Sequence, residues 1–155
     1  MDRPVRAPIG LHIAQVAKAI NRAFDDALAD AGASLPVWLV LIALKSGAVA
    51  SQRQLAAAVG IEAATLSYHL GGMESDGYIT RRRDPENRRV HLVQLTPEGD
   101  ALFLRLRATA AAFDKRLRAG VPDADVDRLA GLLSALRDNV SADRPDPAAR
   151  RAVIL

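Results

Sequence analysis

Five arginines are concentrated in the stretch RRRDPENRR, residues 81–89. They stand on both sides of a short loop that contains Pro85 and Asn87. A guanidinium group is always charged in proteins and presents a planar fork of N–H donors that matches the oxygens of a phosphate. A catalytic loop seldom needs so much unpaired positive charge, so the pattern indicates a surface finger that binds phosphate.

The residues on either side of this loop predict a β-hairpin. Residues 78–83 and 89–96 carry β-branched or aromatic side chains and are separated by the Pro/Asn loop. In the second strand His91, Val93 and Leu95 share one face. Along the first strand the side chains of Arg81 to Arg83 point alternately inward and outward. We therefore expect one arginine to contact phosphate and another to stabilise the fold.

Two short helices are predicted before the hairpin. Ser51 and Gln54 have the spacing of a capping box, so a helix begins there and ends at Gly60. A second helix is predicted over residues 62–73, with Glu62 near its positive end. Its buried face consists of Leu66, Leu70 and Met73. Two short helices joined by a tight, glycine-containing turn are typical of a helix-turn-helix.

Amphipathic patterns predict helices at both ends of the chain. Residues 9–31 form the first helix, closed by Gly32, and Ser34 caps an apolar second helix that ends at Gly47. Thr96, Pro97 and Glu98 are an N-cap, a first-turn proline and a first-turn acid, so a long helix begins there and runs to about residue 118. The apolar stripe of the first helix consists of Ile13, Val16, Ile20, Phe24 and Leu28. That of the long helix consists of Leu102, Leu106, Ala110, Phe113 and Leu117. That of the last helix consists of Val126, Leu129, Leu133, Leu136 and Val140.

Composition narrows the class of protein. The chain has 155 residues, a formal charge of +3 and a sequence pI of about 9.8, with no cysteine. Alanine and leucine dominate, which favours helices. The lack of cysteine excludes disulfides, thiolate metal sites and cysteine redox switches. No apolar run approaches the roughly 18 residues of a membrane span and the N-terminus does not resemble a signal peptide, so we expect a soluble, cytoplasmic protein without membrane contact.

The order of these elements resembles the MarR family of winged helix-turn-helix regulators. The resemblance covers residues 9–140, and its most specific part is SDGYITRRRDPENRRVHLVQLTPEGDAL, residues 75–102. It implies a mainly α fold with a small β-hairpin wing, in a homodimer formed by the N- and C-terminal helices. The predicted regions are a dimerisation helix at 1–33, a winged helix-turn-helix at 34–97, dimerisation helices at 98–140 and an irregular tail at 141–155.

Three positions depart from the pattern of the family. Asn87 stands where relatives usually carry an Asp that restrains a wing arginine by a salt bridge. That restraint is weakened here unless Asp84 or Glu86 substitutes for the missing Asp. Tyr68 occupies a position that is often Arg. Gly71 and Gly72 stand where relatives carry better helix formers, and each costs a helix about 0.5–1 kcal/mol. A loosened helix end, or the close approach of another backbone, would explain the pair.

The resemblance implies a transcriptional regulator, expected to act as a repressor, that binds double-stranded DNA with a pseudo-palindromic operator. The helix at 62–73 would enter the major groove, and Arg88 and Arg89 the minor groove. A two-fold dimer predicts half-sites roughly 10 bp apart in the operator. The arginines predict that DNA affinity falls steeply with salt concentration. The candidate DNA-binding residues are Ser51, Gln52, Arg53, Thr65, Ser67, Tyr68, His69, Arg82, Arg88 and Arg89.

Relatives commonly bind small aromatic or anionic effectors between the dimer helices and the DNA-binding region. His12 and Trp38 are the candidate ligand-binding residues, although a Trp in an apolar helix is usually core and a lone helical His usually inert. No cofactor and no metal are expected, since His12, His69 and His91 lie on different elements and no thiol is present for peroxide sensing.

Other function classes remain as alternatives. An enzyme is disfavoured, because the sequence has no nucleophile elbow, P-loop or dinucleotide fingerprint. A winged helix used for protein–protein contact would not need the arginine wing. A ligand-independent regulator would keep the fold and the wing, with Trp38 and His12 simply packed.

Overall fold

The computed structural model of this chain describes residues 8–47 and 51–141. Six helices and two strands are present in these ranges, so the predicted fold class, mainly α with a small β-hairpin, is confirmed. The elements are α1 (Ile9–Asp30), α2 (Leu35–Lys45), α3 (Gln52–Val59), α4 (Ala63–Ser75), β1 (Ile79–Arg83), β2 (His91–Leu95), α5 (Pro97–Leu117) and α6 (Asp123–Ser141). The expected irregular tail lies outside the described residues.

Several helix ends occur where the sequence predicts them. Ser51 and Gln54 form both hydrogen bonds of a capping box at the start of α3. Gly60 ends α3 with a φ of 75°, and Gly32 follows α1 with a φ of 87°, so both use the left-handed conformation that glycine adopts without strain. Ser34 is the N-cap of α2, but its side chain makes no capping hydrogen bond.

The glycine pair does not end a helix. The sequence places the end of the second short helix near Met73, whereas α4 continues through Gly71 and Gly72 to Ser75. A Cβ built on either glycine meets nothing within 4 Å outside its own helix. Within the described chain, therefore, neither a loosened helix end nor the close approach of another backbone explains the pair.

The hairpin is antiparallel, with Ile79 opposite Leu95 and Arg83 opposite His91. Val93 is buried and Leu95 half-buried, so the predicted inner face of β2 is confirmed for these two residues, while His91 at its outer end is exposed. The loop between the strands contains residues 84–90.

The chain divides into two compact units, residues 1–114 and 115–155. The first unit holds α1 to β2, most of α5 and the buried core of the described chain. Core residues come from every element of this unit: Leu28, Trp38, Val40, Leu41, Leu55, Leu66, Leu70, Met73, Ile79, Val93, Leu102 and Leu106. In the second unit, α6 has no buried residue. The division of the chain into dimerisation and DNA-binding regions, as given from the sequence, stays a prediction.

The start of α5 is fixed tightly against the hairpin. Thr96 Oγ1 accepts a hydrogen bond from the Gly99 backbone N–H at 3.0 Å and donates to the Gly77 carbonyl at 2.6 Å. A Cβ on Gly99 would collide with the Tyr78 carbonyl oxygen, so only glycine fits there without a backbone shift. The glycine of the LTPEG motif is therefore a packing requirement.

Candidate nucleic-acid interface

The N-terminus of α3 is tied to both neighbouring elements. Ser51 pairs with Leu92 in an isolated antiparallel β-bridge, which connects the start of α3 to the hairpin. Gln52 Nε2 donates a hydrogen bond of 2.6 Å to Ser67 Oγ, which connects α3 to α4. These contacts hold the two helices at one angle, as a helix-turn-helix requires.

One face of α4 is buried and the opposite face is open to solvent. Leu66, Leu70 and Met73 are buried against the core, as the sequence predicts. Thr65, Ser67 and Tyr68 are exposed, and Tyr68 keeps 80% of its surface. His69 is half-buried, and its ring meets the edge of the Tyr68 ring at a centroid distance of 5.5 Å.

A charged contact joins the end of α4 to β1. The Glu74 carboxylate accepts hydrogen bonds from the Arg81 backbone N–H at 3.1 Å, from its Nε at 2.8 Å and from its Nη2 at 2.6 Å. The guanidinium hydrogen bonds hold the pKa of Glu74 below its ordinary value. Arg81 is thus the arginine that braces the fold, as expected from the alternation along the strand.

The other four arginines of the hairpin point into solvent. Arg82, Arg83, Arg88 and Arg89 are all exposed. No carboxylate in the described ranges forms an ion pair with any of them. Their charges are therefore available to an anion.

The hairpin loop is ordered by its own polar side chains. Asp84 Oδ1 accepts from the Glu86 N–H at 2.9 Å, and Asn87 Oδ1 accepts from the Arg89 N–H at 3.2 Å. Neither Asp84 nor Glu86 substitutes as an ion-pair partner for the two tip arginines among the described residues. Asn87 supports the backbone of Arg89 instead of restraining a guanidinium group.

Most of the predicted DNA-binding residues lie on three neighbouring elements. The α3 N-terminus supplies Ser51, Gln52 and Arg53, of which Arg53 is exposed. Such a terminus presents free N–H groups that attract anions.

The contact between Glu74 and Arg81 was not predicted from the sequence. An acid seven residues before an arginine, across a turn, is too common a spacing to have indicated it.

A cavity of about 230 Å³ lies behind α4, within the first unit. It is lined by the turn after α1, by α2, by α4 and by Tyr78; its residues are Gly32, Ala33, Val37, Tyr68, His69, Gly72, Met73, Asp76 and Tyr78. Neither predicted ligand-binding residue is among them. Trp38 is buried in the core and stacked on Phe103 at 5.6 Å, and His12 is exposed on α1.

In the described ranges, no group of three or more His, Asp or Glu side chains could hold a metal ion. No helix is by itself long and apolar enough to cross a membrane; α1 and α2 reach that length and apolarity only as a pair, bent by 78° at their break.

The comparisons with known proteins agree with this geometry. The model of the MarR family matches residues 31–90, from the end of α1 to the end of the hairpin loop. A MarR-family transcriptional regulator from Rhodococcus sp. RHA1 has 26% sequence identity and a TM-score of 0.72, with 87% of this chain and 96% of that chain covered. The chain is thus similar to MarR-family transcriptional regulators over its helix-turn-helix and hairpin.

Two further relatives are similar over different lengths. The uncharacterized HTH-type transcriptional regulator YdgJ of Bacillus subtilis (strain 168) is 33% identical over 91 residues, which span 59% of this chain and 56% of that protein. CouR from Rhodococcus jostii RHA1, solved bound to p-coumaroyl-CoA, has 26% identity and a TM-score of 0.69, with 87% and 95% of the two chains covered. The transcriptional repressor CouR bound to a 23-mer DNA duplex has 23% identity, a TM-score of 0.75 and coverage of 84% and 92%.

Proposed function

We propose that this protein is a sequence-specific DNA-binding transcriptional regulator that acts as a homodimer and represses its target genes. In each subunit α4 is the recognition helix in the major groove, and the hairpin is the wing, with Arg88 and Arg89 in the adjacent minor groove. Arg82, Arg53 and the α3 N-terminus contact phosphates. CouR, a repressor solved on a DNA duplex, has the same fold.

The observation that carries this proposal is the arrangement of free charge around α4. Four wing arginines are exposed and have no carboxylate partner among the described residues. The one paired arginine, Arg81, is the one that holds the wing against α4. A protein–protein module does not need unpaired guanidinium groups beside an exposed helix face. A DNA duplex presents phosphates on both sides of the groove that such a helix would enter, and these groups would bind them.

Exposed apolar side chains support the homodimer. Large uncovered apolar areas on a soluble chain mark an interface. On α6 Leu129, Leu133, Leu136 and Val140 lie three or four positions apart and form one stripe that a second copy would cover. The large exposed apolar residues of α1 and α6 are Ile9, Leu11, Val16, Leu129, Leu132, Leu133, Leu136 and Val140.

Binding to the upstream region of the protein's own gene tests the proposal. The wild type and the Arg88→Ala/Arg89→Ala variant are titrated with a labelled duplex over a salt series. We expect steep salt dependence and at least a tenfold loss of affinity in the variant. The salt slope of the variant should also be shallower, by about one for each phosphate that it no longer neutralises. Arg107→Ala on α5 is the matched control, since Arg107 is exposed but lies outside the proposed interface.

The other outcomes distinguish the alternatives. Binding that is unaffected by the double substitution would leave the helix-turn-helix in place and contradict the role of the wing. Failure to bind this duplex, followed by failure against a random-sequence library, would favour the protein–protein module.

We further propose that a small aromatic or anionic effector releases the protein from DNA. The supporting observation is the cavity behind α4, because Tyr68 and His69 of the recognition helix line it. An effector there would touch the same helix that reads DNA and would shift the population toward a spacing of the two helices that fits DNA poorly. CouR, to which this chain is similar, was solved bound to the small molecule p-coumaroyl-CoA.

A library of small aromatic acids, screened by melting temperature, tests this second proposal. An effector should raise the melting temperature and weaken DNA binding together. The variants His12→Ala and Trp38→Phe test the ligand-binding residues predicted from the sequence, and Val37→Ala tests the cavity. A regulator that binds its operator but responds to no compound would be the ligand-independent alternative.

A further inference from the structure

The recognition helix lacks the side chains that read bases through paired hydrogen bonds. In the major groove, Arg or Lys bonds guanine through its O6 and N7, and Asn or Gln bonds adenine through its N6 and N7. The sequence of α4, AATLSYHLGGMES, contains none of these four residue types. Its single acid, Glu74, could accept from cytosine but is bound to Arg81.

The remaining polar side chains of α4 are partly committed within the protein. Ser67 Oγ accepts the hydrogen bond from Gln52, and this bond also occupies one donor of the Gln52 amide. His69 is half-buried and lines the cavity behind the helix. Their capacity for direct hydrogen bonds to bases is therefore reduced.

The outward face of α4 is mostly apolar or methyl-bearing. Ala64 and Tyr68 lie four residues apart and so share a face, opposite the buried Leu66 and Leu70. Ala63 and Thr65 are also exposed in the first turn, the part of a recognition helix that reaches base edges. Alanine, the threonine methyl group and aromatic rings contact the C5-methyl group of thymine, which is the one apolar feature of the major groove.

Positive charge is confined to the flanks of this face. Arg53 lies on α3 and the free arginines lie on the wing, whereas α4 carries no basic residue apart from His69. Affinity would thus come from phosphates and the minor groove, and the major-groove face would add discrimination between bases. The two roles are carried by different elements.

We propose that the recognition helix identifies its operator by thymine methyl groups, contacted by Ala64, Thr65 and Tyr68, instead of by paired hydrogen bonds to purines. This inference rests on the proposed DNA-binding function and specifies the base feature that the site reads. Tyr68 is the main specificity-determining residue, because it keeps 80% of its surface and is the largest exposed side chain of α4.

Base-analogue substitution tests the inference on an operator selected from a random-sequence duplex library with the full-length protein. Each major-groove thymine is replaced by deoxyuridine, which removes only the methyl group. Each purine is replaced by its 7-deaza analogue, which removes only the N7 acceptor. We expect a three- to fivefold loss of affinity for each contacted methyl group, the fold-change for about 0.8 kcal/mol of lost apolar burial. The 7-deaza duplexes should bind within twofold of the parent.

Two variants identify the side chains that touch the methyl groups. Tyr68→Ala should bind the thymine and deoxyuridine duplexes equally at one position of each half-site, and Thr65→Ser should do so at another. Tyr68 is exposed, so its replacement leaves the core unchanged. Arg89→Ala is the matched control, because it should weaken binding to both duplexes by the same factor.

The outcomes separate this inference from the function on which it rests. Enrichment of an operator whose affinity depends on purine N7 and not on thymine methyls would overturn the inference and leave the regulator in place. Failure to enrich any duplex would overturn both. A deoxyuridine effect that persists unchanged in Tyr68→Ala and Thr65→Ser would assign the methyl recognition to other residues and overturn the roles proposed for these two side chains.

Discussion

Glu74 receives three hydrogen bonds from Arg81, and through them the end of α4 is joined to β1. One of the three comes from the Arg81 backbone N–H, so the carboxylate also satisfies a backbone donor of β1. A shift of the helix would therefore displace the wing. This interaction holds the two proposed DNA-reading elements in one common position.

Replacement of Glu74 by Gln should destabilise the protein modestly at neutral pH. We expect a loss of about 0.5–1 kcal/mol in the free energy of unfolding, since both side chains are partly exposed and water screens the pair. The melting temperature should fall by roughly 1–4 °C. Urea denaturation at pH 7 measures the difference, with Glu86→Gln as the matched control, because Glu86 lies exposed in the wing loop.

The same pair should give a defined pH dependence. The pKa of Glu74 is lower in the folded state than its ordinary value of 4.5, so the folded state favours the ionised form. Its stabilising contribution is therefore fully present above pH 4.5 and is lost as pH falls through the lower folded pKa. The wild type should approach Glu74→Gln in stability over that acidic range. A difference between the two proteins that stays constant down to about pH 3 would contradict the assignment.

Gly99→Ala should destabilise the first unit strongly. The new Cβ would collide with the Tyr78 carbonyl oxygen and stand 3.0 Å from Leu95 Cδ2. Because the first of these atoms is backbone, no rotamer change relieves the collision, and we expect a loss of about 3 kcal/mol. The melting temperature, measured by the fluorescence of the single tryptophan, should drop by roughly 6–12 °C. Gly71→Ala serves as the matched control; equal stability of the two variants would show that α5 can shift away from Tyr78.

Gly71→Ala and Gly72→Ala should each stabilise the protein. Both residues lie within α4, and a Cβ on either meets open space, so only the backbone entropy of the unfolded chain changes. The expected gain is about 0.5–1 kcal/mol for each glycine. Thermal denaturation checks the direction, and a loss of stability would indicate an interaction with a second subunit at this position.

The glycine pair also separates stability from ligand binding. Gly72 lines the cavity behind α4, whereas Gly71 does not. Gly72→Ala should therefore reduce the melting-temperature shift that an effector produces, and Gly71→Ala should leave it unchanged. Equal shifts in the two variants would place the effector elsewhere.

Local patterns predicted the elements because each depends on residues close together in the chain. The capping box of Ser51 and Gln54, the left-handed Gly60 and the Thr96 cap all involve residues only a few positions apart, and all three form as the sequence indicates. The buried face of α4 followed from helical periodicity. Its end at Ser75 lies beyond the predicted end at Met73, because helix boundaries are the least precise part of a prediction from sequence.

Side-chain partners across the fold could not be predicted in the same way. Gln52 and Ser67 are 15 residues apart and both are candidate DNA-binding residues, and the structure joins them by a hydrogen bond that no sequence spacing indicates. Trp38 is a candidate for an effector cleft, and the stacking of its ring on Phe103 from α5 is a second contact that the sequence does not indicate. Such partners depend on how distant elements dock, which one sequence does not encode as a spacing.

The sequence by itself determined the element order, the arginine-rich wing and the absence of cysteine chemistry, because propensity, periodicity and composition act over a few residues. Only the tertiary structure decided which arginine braces the wing and which four are exposed without a carboxylate partner among the described residues, since that depends on where Glu74 stands relative to β1. It also decided why LTPEG needs its glycine, because the Tyr78 carbonyl is brought to Gly99 by the packing of α5 on the hairpin.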